Sequence, residues 1–188
     1  MTRGRDSAKR SVMNSVIRIF LVISQMPLSL LMAQDSRVKV SEQTFTKPAA
    51  WKSEKTASKM RAAQFSVPGK EGEEAAVCVF FYFGPGNGGG AQANLQRWVG
   101  QFAEDPKPQF KVEDAKVGET PVAFLFANGT FMDGPPFGGA KVPKKNYGMA
   151  AAVLGTKPGY IFVKMTGPQA VVDAAKADFK KMIESALK

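Results

Sequence analysis

The sequence predicts an α+β domain: an antiparallel β-sheet flanked by helices, closed by an amphipathic helix at the C-terminus. Three observations predict it. Strand patterns follow one another through short turns instead of alternating with helices, which favours antiparallel pairing. Two segments, AAVCVFFYF at 75–83 and PVAFLFA at 121–127, are apolar on both faces, and a strand of that kind needs cover above and below. Helical periodicity is confined to one stretch after a glycine-rich loop and to the chain's end.

In chain order, residues 1–33 stand apart. Arg3, Arg5, Lys9 and Arg10 precede an apolar run at 19–32, and Leu31-Met32-Ala33 resembles a small-residue cleavage site. The run is trimmed by Arg18, weakened by Ser24, Gln25 and Pro27, and falls short of the roughly 20 apolar residues of a spanning helix. It reads as a signal peptide, with an uncleaved N-terminal anchor as the alternative, and the protein is expected to be exported to the periplasm or beyond. No cysteine lies near Ala33, so lipid attachment there is excluded. Residues 34–58 are polar and mixed and read as an extended lead-in, which Pro48 and Trp51 pin to a single domain at 59–188.

Within that domain, 60–67 alternates, with Ala63, Phe65 and Val67 on one face, as a half-buried strand does. The strand at 75–83 follows, then glycine at five of the seven positions 84–90. Helix signals begin near Ala91: Leu95, Trp98, Val99 and Phe102 form a core-facing stripe, and Asp105-Pro106 marks the stop. Strands are expected at 110–117 and 121–127, an Asn128-Gly129 turn with a return strand at 130–132, and a long loop at 133–146. A hairpin at 149–154 and 160–165 leads through Gly167-Pro168 into the last helix, with Val171, Val172, Ala175, Phe179, Met182, Ile183 and Ala186 on its buried stripe.

Composition removes several chemistries. There is no histidine, hence neither the commonest general base nor the commonest metal ligand. The single cysteine, Cys78, lies in a doubly apolar strand and reads as an inert core residue. The formal net charge of +10 falls to +6 once the five basic residues and one acid of 1–33 are set aside. The remaining excess is nearly all lysine, with only Arg37, Arg61 and Arg97 as arginines; nucleic-acid readout leans on arginine forks, so that partner is not expected. Glu74 and Asp133 sit at strand ends, but nothing in the sequence pairs them. Ser-x-x-Lys at Ser36/Lys39 and Ser185/Lys188 lacks its companion motifs.

The candidate site is the glycine loop and the helix after it. Gly84-Pro85-Gly86-Asn87-Gly88-Gly89 fits the dinucleotide pattern G-x-G-x-x-G. The hairpins that follow are not the βαβ units this pattern serves. A broader version stays open, in which the loop and helix start hold some other anion. The candidate binding residues are Gly88, Gly89, Gly90, Asn94, Arg97, Trp98 and Gln101. The competing reading is structural, with Trp98 in the core and Arg97 and Gln101 satisfying buried carbonyls.

Asn94-x-x-Arg97-Trp98-x-x-Gln101-Phe102 after a glycine-rich loop, Met60-Arg61 at the head of a strand, and Lys164-Met165-Thr166-Gly167-Pro168 entering the last helix resemble a group of bacterial exported proteins with no established activity. The resemblance covers about residues 51–187. It implies a shape similar to the PsbP-like α/β/α sandwich and carries no function by itself.

These observations lead to one expectation and one alternative. The first is a soluble, non-catalytic binding or accessory module of the periplasm or cell envelope, with no cofactor or metal. Its partner would be a protein or small ligand of the envelope, and a membrane only if residues 1–33 are retained. Its contact surface would combine the 84–90 loop, the Arg97 edge of the helix and the 133–146 loop. The alternative is an enzyme or carrier holding a small anionic ligand at the 84–90 loop and helix start.

Overall fold

The structure, a computed structural model, describes residues 36–56, 58–135 and 138–187. The signal-peptide reading of residues 1–33 lies outside them. Strand β5 (Ala76–Tyr82) is the segment that needed cover on both sides, and its neighbours supply pairing on both edges. Strands β3 (Lys52–Ser53) and β4 (Arg61–Val67) lie to one side. Strands β9 (Gly159–Pro168), β8 (Val142–Thr156), β7 (Thr120–Asp133) and β6 (Gln109–Val117) lie to the other. The seven strands run in the order β3-β4-β5-β9-β8-β7-β6, antiparallel throughout.

One face of this sheet is sealed by helix α2 (Gln169–Ser185) and by a hairpin of β1 (Arg37–Val40) and β2 (Gln43–Thr46). The stripe Val171, Val172, Ala175, Phe179, Met182 and Ile183 is buried there, as its spacing predicts. Phe45 of β2 meets Phe80 of β5 edge to face at 4.9 Å. The opposite face carries helix α1 (Ala91–Val99), whose Leu95 and Trp98 pack with Leu125, Met149, Ala151, Val153 and Phe162. The architecture is therefore an α+β sandwich with an antiparallel sheet between helical layers.

Four local expectations are corrected. Residues 36–56, read as an extended lead-in, fold back as the β1–β2 hairpin and the edge strand β3, burying Val40, Phe45 and Trp51 in the core. Asn128-Gly129 does not turn: β7 runs through it to Asp133, and a register shift between Gly129 and Phe131 absorbs an extra residue. The glycine serves close approach instead, since a Cβ there would lie 3.4 Å from the Pro108 backbone. The long loop contracts to 134–141, because Val142 and Lys144 of β8 pair with Asp133 and Phe131. Helix α1 ends at Val99, capped by Gly100, well before Asp105-Pro106. Phe102 is buried as expected, but from an extended segment that bridges to Phe131.

Candidate functional site

Helix α1 has nine residues, too few to span the face it lies on. It covers the end of the sheet built from Phe162, Leu125 and Val153. Beside it, a row of paired residues crosses β4, β5 and β9: Gln64 opposite Val79, and Val79 opposite Lys164. Directly paired residues share a face, so these side chains floor the part of the sheet that α1 leaves open.

The glycine loop is tied inward. Asn94, buried on α1, donates from Nδ2 to the Gly88 and Gly90 carbonyls at 2.9 Å each. Gly88 lies against two rings: a Cβ there would come within 2.6 Å of Phe162 and 2.8 Å of Phe83, at a φ of +85°. Gly89 also has positive φ and sits beside Asn94 Nδ2. Trp98 is closed off, edge to face with Phe162 at 6.5 Å. Asn94 Oδ1 accepts from Arg97 Nη2, which holds the exposed guanidinium over the helix edge.

Gln101 is set by the chain that leaves α1. Its carbonyl accepts from the Met132 N–H at 2.8 Å, and the Ala103 N–H donates to the Thr130 carbonyl at 2.8 Å. This short pairing takes the edge of β7 past the point where β6 ends, opposite Asn128. Thus anchored, Gln101 Oε1 accepts from Lys164 Nζ at 2.9 Å. Lys164 is half-buried on β9, and its amine is pushed down to about 8 by burial, then by the charges of Arg61 and Arg97; Asp133 partly offsets this. Arg61, at the start of β4, donates to Gln64 Oε1, whose Nε2 in turn donates to Glu54 at 2.6 Å.

A second polar cluster lies toward the end of the sheet where Tyr147 pairs with Pro168. Tyr147 donates its hydroxyl proton to Glu74 Oε2 at 2.7 Å, and Lys144 Nζ lies 3.0 Å from Glu74 Oε1 and 3.6 Å from Asp133. Glu74 and Asp133, which nothing in the sequence pairs, are thus joined through Lys144. The Tyr147 and Lys144 bonds hold the Glu74 carboxyl below its usual range, while burial raises the Tyr147 hydroxyl. Every member has a partner, so the cluster ties the turn before β5 to β7 and β8. Among the described residues no group of three or more acidic or cysteine ligands is placed to hold a metal. Cys78 is fully buried and its thiol is pushed up by that burial.

Of the residues singled out from sequence, the structure brings Asn94 and Arg97 to one edge of α1 with Gln101 just past its end, packs Trp98 into the core and Gly88 against Phe162, and leaves Gly89 and Gly90 exposed. It adds Lys164, Arg61 and Gln64. Lys164 had a readable mark: it is the only charged residue in the strand Gly159–Pro168. Arg61 and Gln64 had none, since alternating polar residues on an outer strand look alike whether or not they converge.

No protein-family model matches the chain, and no curated protein does. Among solved structures it is similar to cyanobacterial PsbP (CyanoP) of Synechocystis sp. PCC 6803, at 13% identity over 79% of this chain and 89% of that one, with a TM-score of 0.49. It is also similar to a Pseudomonas aeruginosa protein of unknown function, at 14% identity over 81% and 95%, with a TM-score of 0.42. Likeness at this level concerns the path of the chain alone, and the functional reading rests on the site.

Proposed function

We propose that this chain is a non-catalytic binding module of the cell envelope, and that its recognition surface is the α1 side of the sheet beside the Arg97 edge. The observation that carries this reading is the unequal cover of the two faces. Helix α2 and the β1–β2 hairpin bury one face with apolar side chains, whereas α1 stops short and leaves a floor of half-buried polar side chains, Gln64, Ser66, Lys164 and Thr166. Of these, Gln64 accepts from Arg61 of β4 and Lys164 donates to Gln101 just past α1. Preorganised polar groups around a partly desolvated floor are what a contact surface needs. The chain offers no histidine for general base work, and its one thiol is sealed in the core. The basic and apolar pattern of residues 1–33 is the support for export. The alternative anion site at the 84–90 loop gains nothing from the loop's own contacts, which are Asn94 bonds to carbonyls and packing on Phe83 and Phe162.

Site-specific photo-crosslinking in the native cell tests the surface. A crosslinking residue at Gln64 or Thr166, on the α1 side, is expected to give a discrete adduct, and one at Asp178, on the outer side of α2, none. Adducts only from Asp178, or turnover in an activity screen with no adduct anywhere, would overturn the proposal. N-terminal sequencing of the exported protein is expected to begin at Gln34; a start at Met1 contradicts cleavage.

A further inference from the structure

Outside residues 1–33 the chain has three arginines, and two of them, Arg61 and Arg97, act on the same lysine. They reach it from different directions, Arg97 from α1, Arg61 from β4, with Lys164 itself on β9. Lys164 and Gln64 lie two strands apart in one row, roughly 10 Å between backbones, and the Arg61 side chain bonds to Gln64.

The three cations share one kind of partner. Arg61 bonds to the amide oxygen of Gln64, Arg97 to that of Asn94, and Lys164 to that of Gln101. None of the three has a carboxylate within ion-pair distance among the described residues. Lys111, Lys116, Lys144 and Lys180 all do. A neutral amide fixes where a cationic head sits and leaves its charge unspent. The nearby carboxylates are otherwise engaged: Asp133 with Lys144 at 3.6 Å, and Glu54 with Gln64 at 2.6 Å. Lys164 Nζ donates to Gln101 Oε1, one of the three bonds an ammonium can make.

Resting on the binding-module reading above, the geometry points to a phosphate-binding site between α1 and β4, in which Lys164, Arg97 and Arg61 hold the anion's oxygens. Three cations against one group favour phosphate over carboxylate, because a phosphomonoester brings about −1.5 to −2 charges near neutral pH and three acceptor oxygens. Arginine supplies paired donors to such oxygens and lysine a point charge. The cost of holding the half-buried Lys164 charge near two exposed guanidinium groups, visible in its lowered amine, is relieved once an anion sits among them. Valine 79 on β5 and Ala151 on β8 flank Lys164 without adding charge. The anion is either free phosphate or the phosphoryl group of a larger ligand.

Calorimetric titration of the full chain with inorganic phosphate and with glycerol 3-phosphate separates these sources, tighter binding of the ester favouring the larger ligand. Saturable binding of at least one is expected, weakened about tenfold by Lys164→Met and about threefold by Arg61→Gln. Lys176→Met, on the α2 side, should leave it unchanged. Arg61 is exposed at a strand end, so its variant keeps the test open if Lys164→Met fails to fold. No saturable binding, or binding equal in all four proteins, would overturn the phosphate site. Adducts at Gln64 or Thr166 would then still leave the contact surface standing, since they do not depend on an anion. If acetate binds as tightly as phosphate, the ligand class is wrong.

Discussion

Lys164 puts a positive charge where packing would prefer none. Its amine sits at about 8 in the folded protein against an ordinary 10.5. The folded state therefore binds fewer protons than the unfolded chain between those values, and stability rises with pH across that window. Below about 8 the charged amine costs the full penalty; above 10.5 it costs nothing. Lys164→Met is accordingly expected to raise stability at neutral pH by about 1–2 kcal/mol, after discounting for the partial exposure and the lost Gln101 bond. The gain should fade as pH climbs from about 8 and be gone above 10.5. Thermal melts across that range check it; a loss of stability at neutral pH would mean the lysine is a structural support. Stability spent at a binding surface is a common trade. The lone lysine in Gly159–Pro168 was visible in the sequence as an oddity, but its neighbours came from β4, β7 and α1, and only the folded register assembles them.

At the scale of elements, the glycine loop and α1 work as one unit. The loop packs on Phe83 and Phe162 because Gly88 has no side chain, and Asn94 holds its carbonyls. Gly88→Ala meets both rings at a positive φ and is expected to cost about 2–3 kcal/mol. Asn94→Ala removes both bonds that hold the loop carbonyls and should cost about 1–2 kcal/mol. Denaturant titrations measure both; a neutral Gly88→Ala would mean the loop is not seated on the rings. The strand–loop–helix order was legible here, because a doubly apolar strand, a glycine run and a helical stripe are local signals. The Asn128-Gly129 turn was misread for the converse reason: a dipeptide that favours hairpins in isolation is overridden when β8 is long enough to pair past it and Pro108 crowds the glycine. The lead-in was misread because Val40 and Phe45 are isolated apolar residues whose burial depends on a hairpin closing over β5.

Across the whole molecule, cover on both faces holds for β7, whose Phe124 and Leu125 are buried on opposite sides, whereas β5 is sealed on the α2 side and its Val77 and Phe81 stay half-buried on the other. The covers are fastened differently. Helix α2 is tied to the outer strand β6 by Lys180 and Glu113 at 2.9 Å, with Lys111 at 3.1 Å on the same carboxylate. The Lys180 and Lys111 bonds lower the Glu113 carboxyl from 4.5 to about 2. A lowered carboxylate contributes stability above its unfolded value and loses it as pH falls through the folded one. Glu113→Gln should therefore cost about 1–2 kcal/mol at neutral pH, and the difference from wild type should vanish between 4.5 and about 2. Equal melting curves at neutral pH would mean this link adds nothing. On the other face, α1 is short and its uncovered floor gathers the charges that α2 has balanced.

The most direct test of that asymmetry is the Lys164 side chain itself, followed by NMR of its Cε and Nζ nuclei as pH is raised, with and without sulfate, whose charge is fixed over the range. A titration midpoint near 8 that moves upward when sulfate is added is the result expected of three gathered cations awaiting an anion. A midpoint at the ordinary 10.5, indifferent to sulfate, would contradict it.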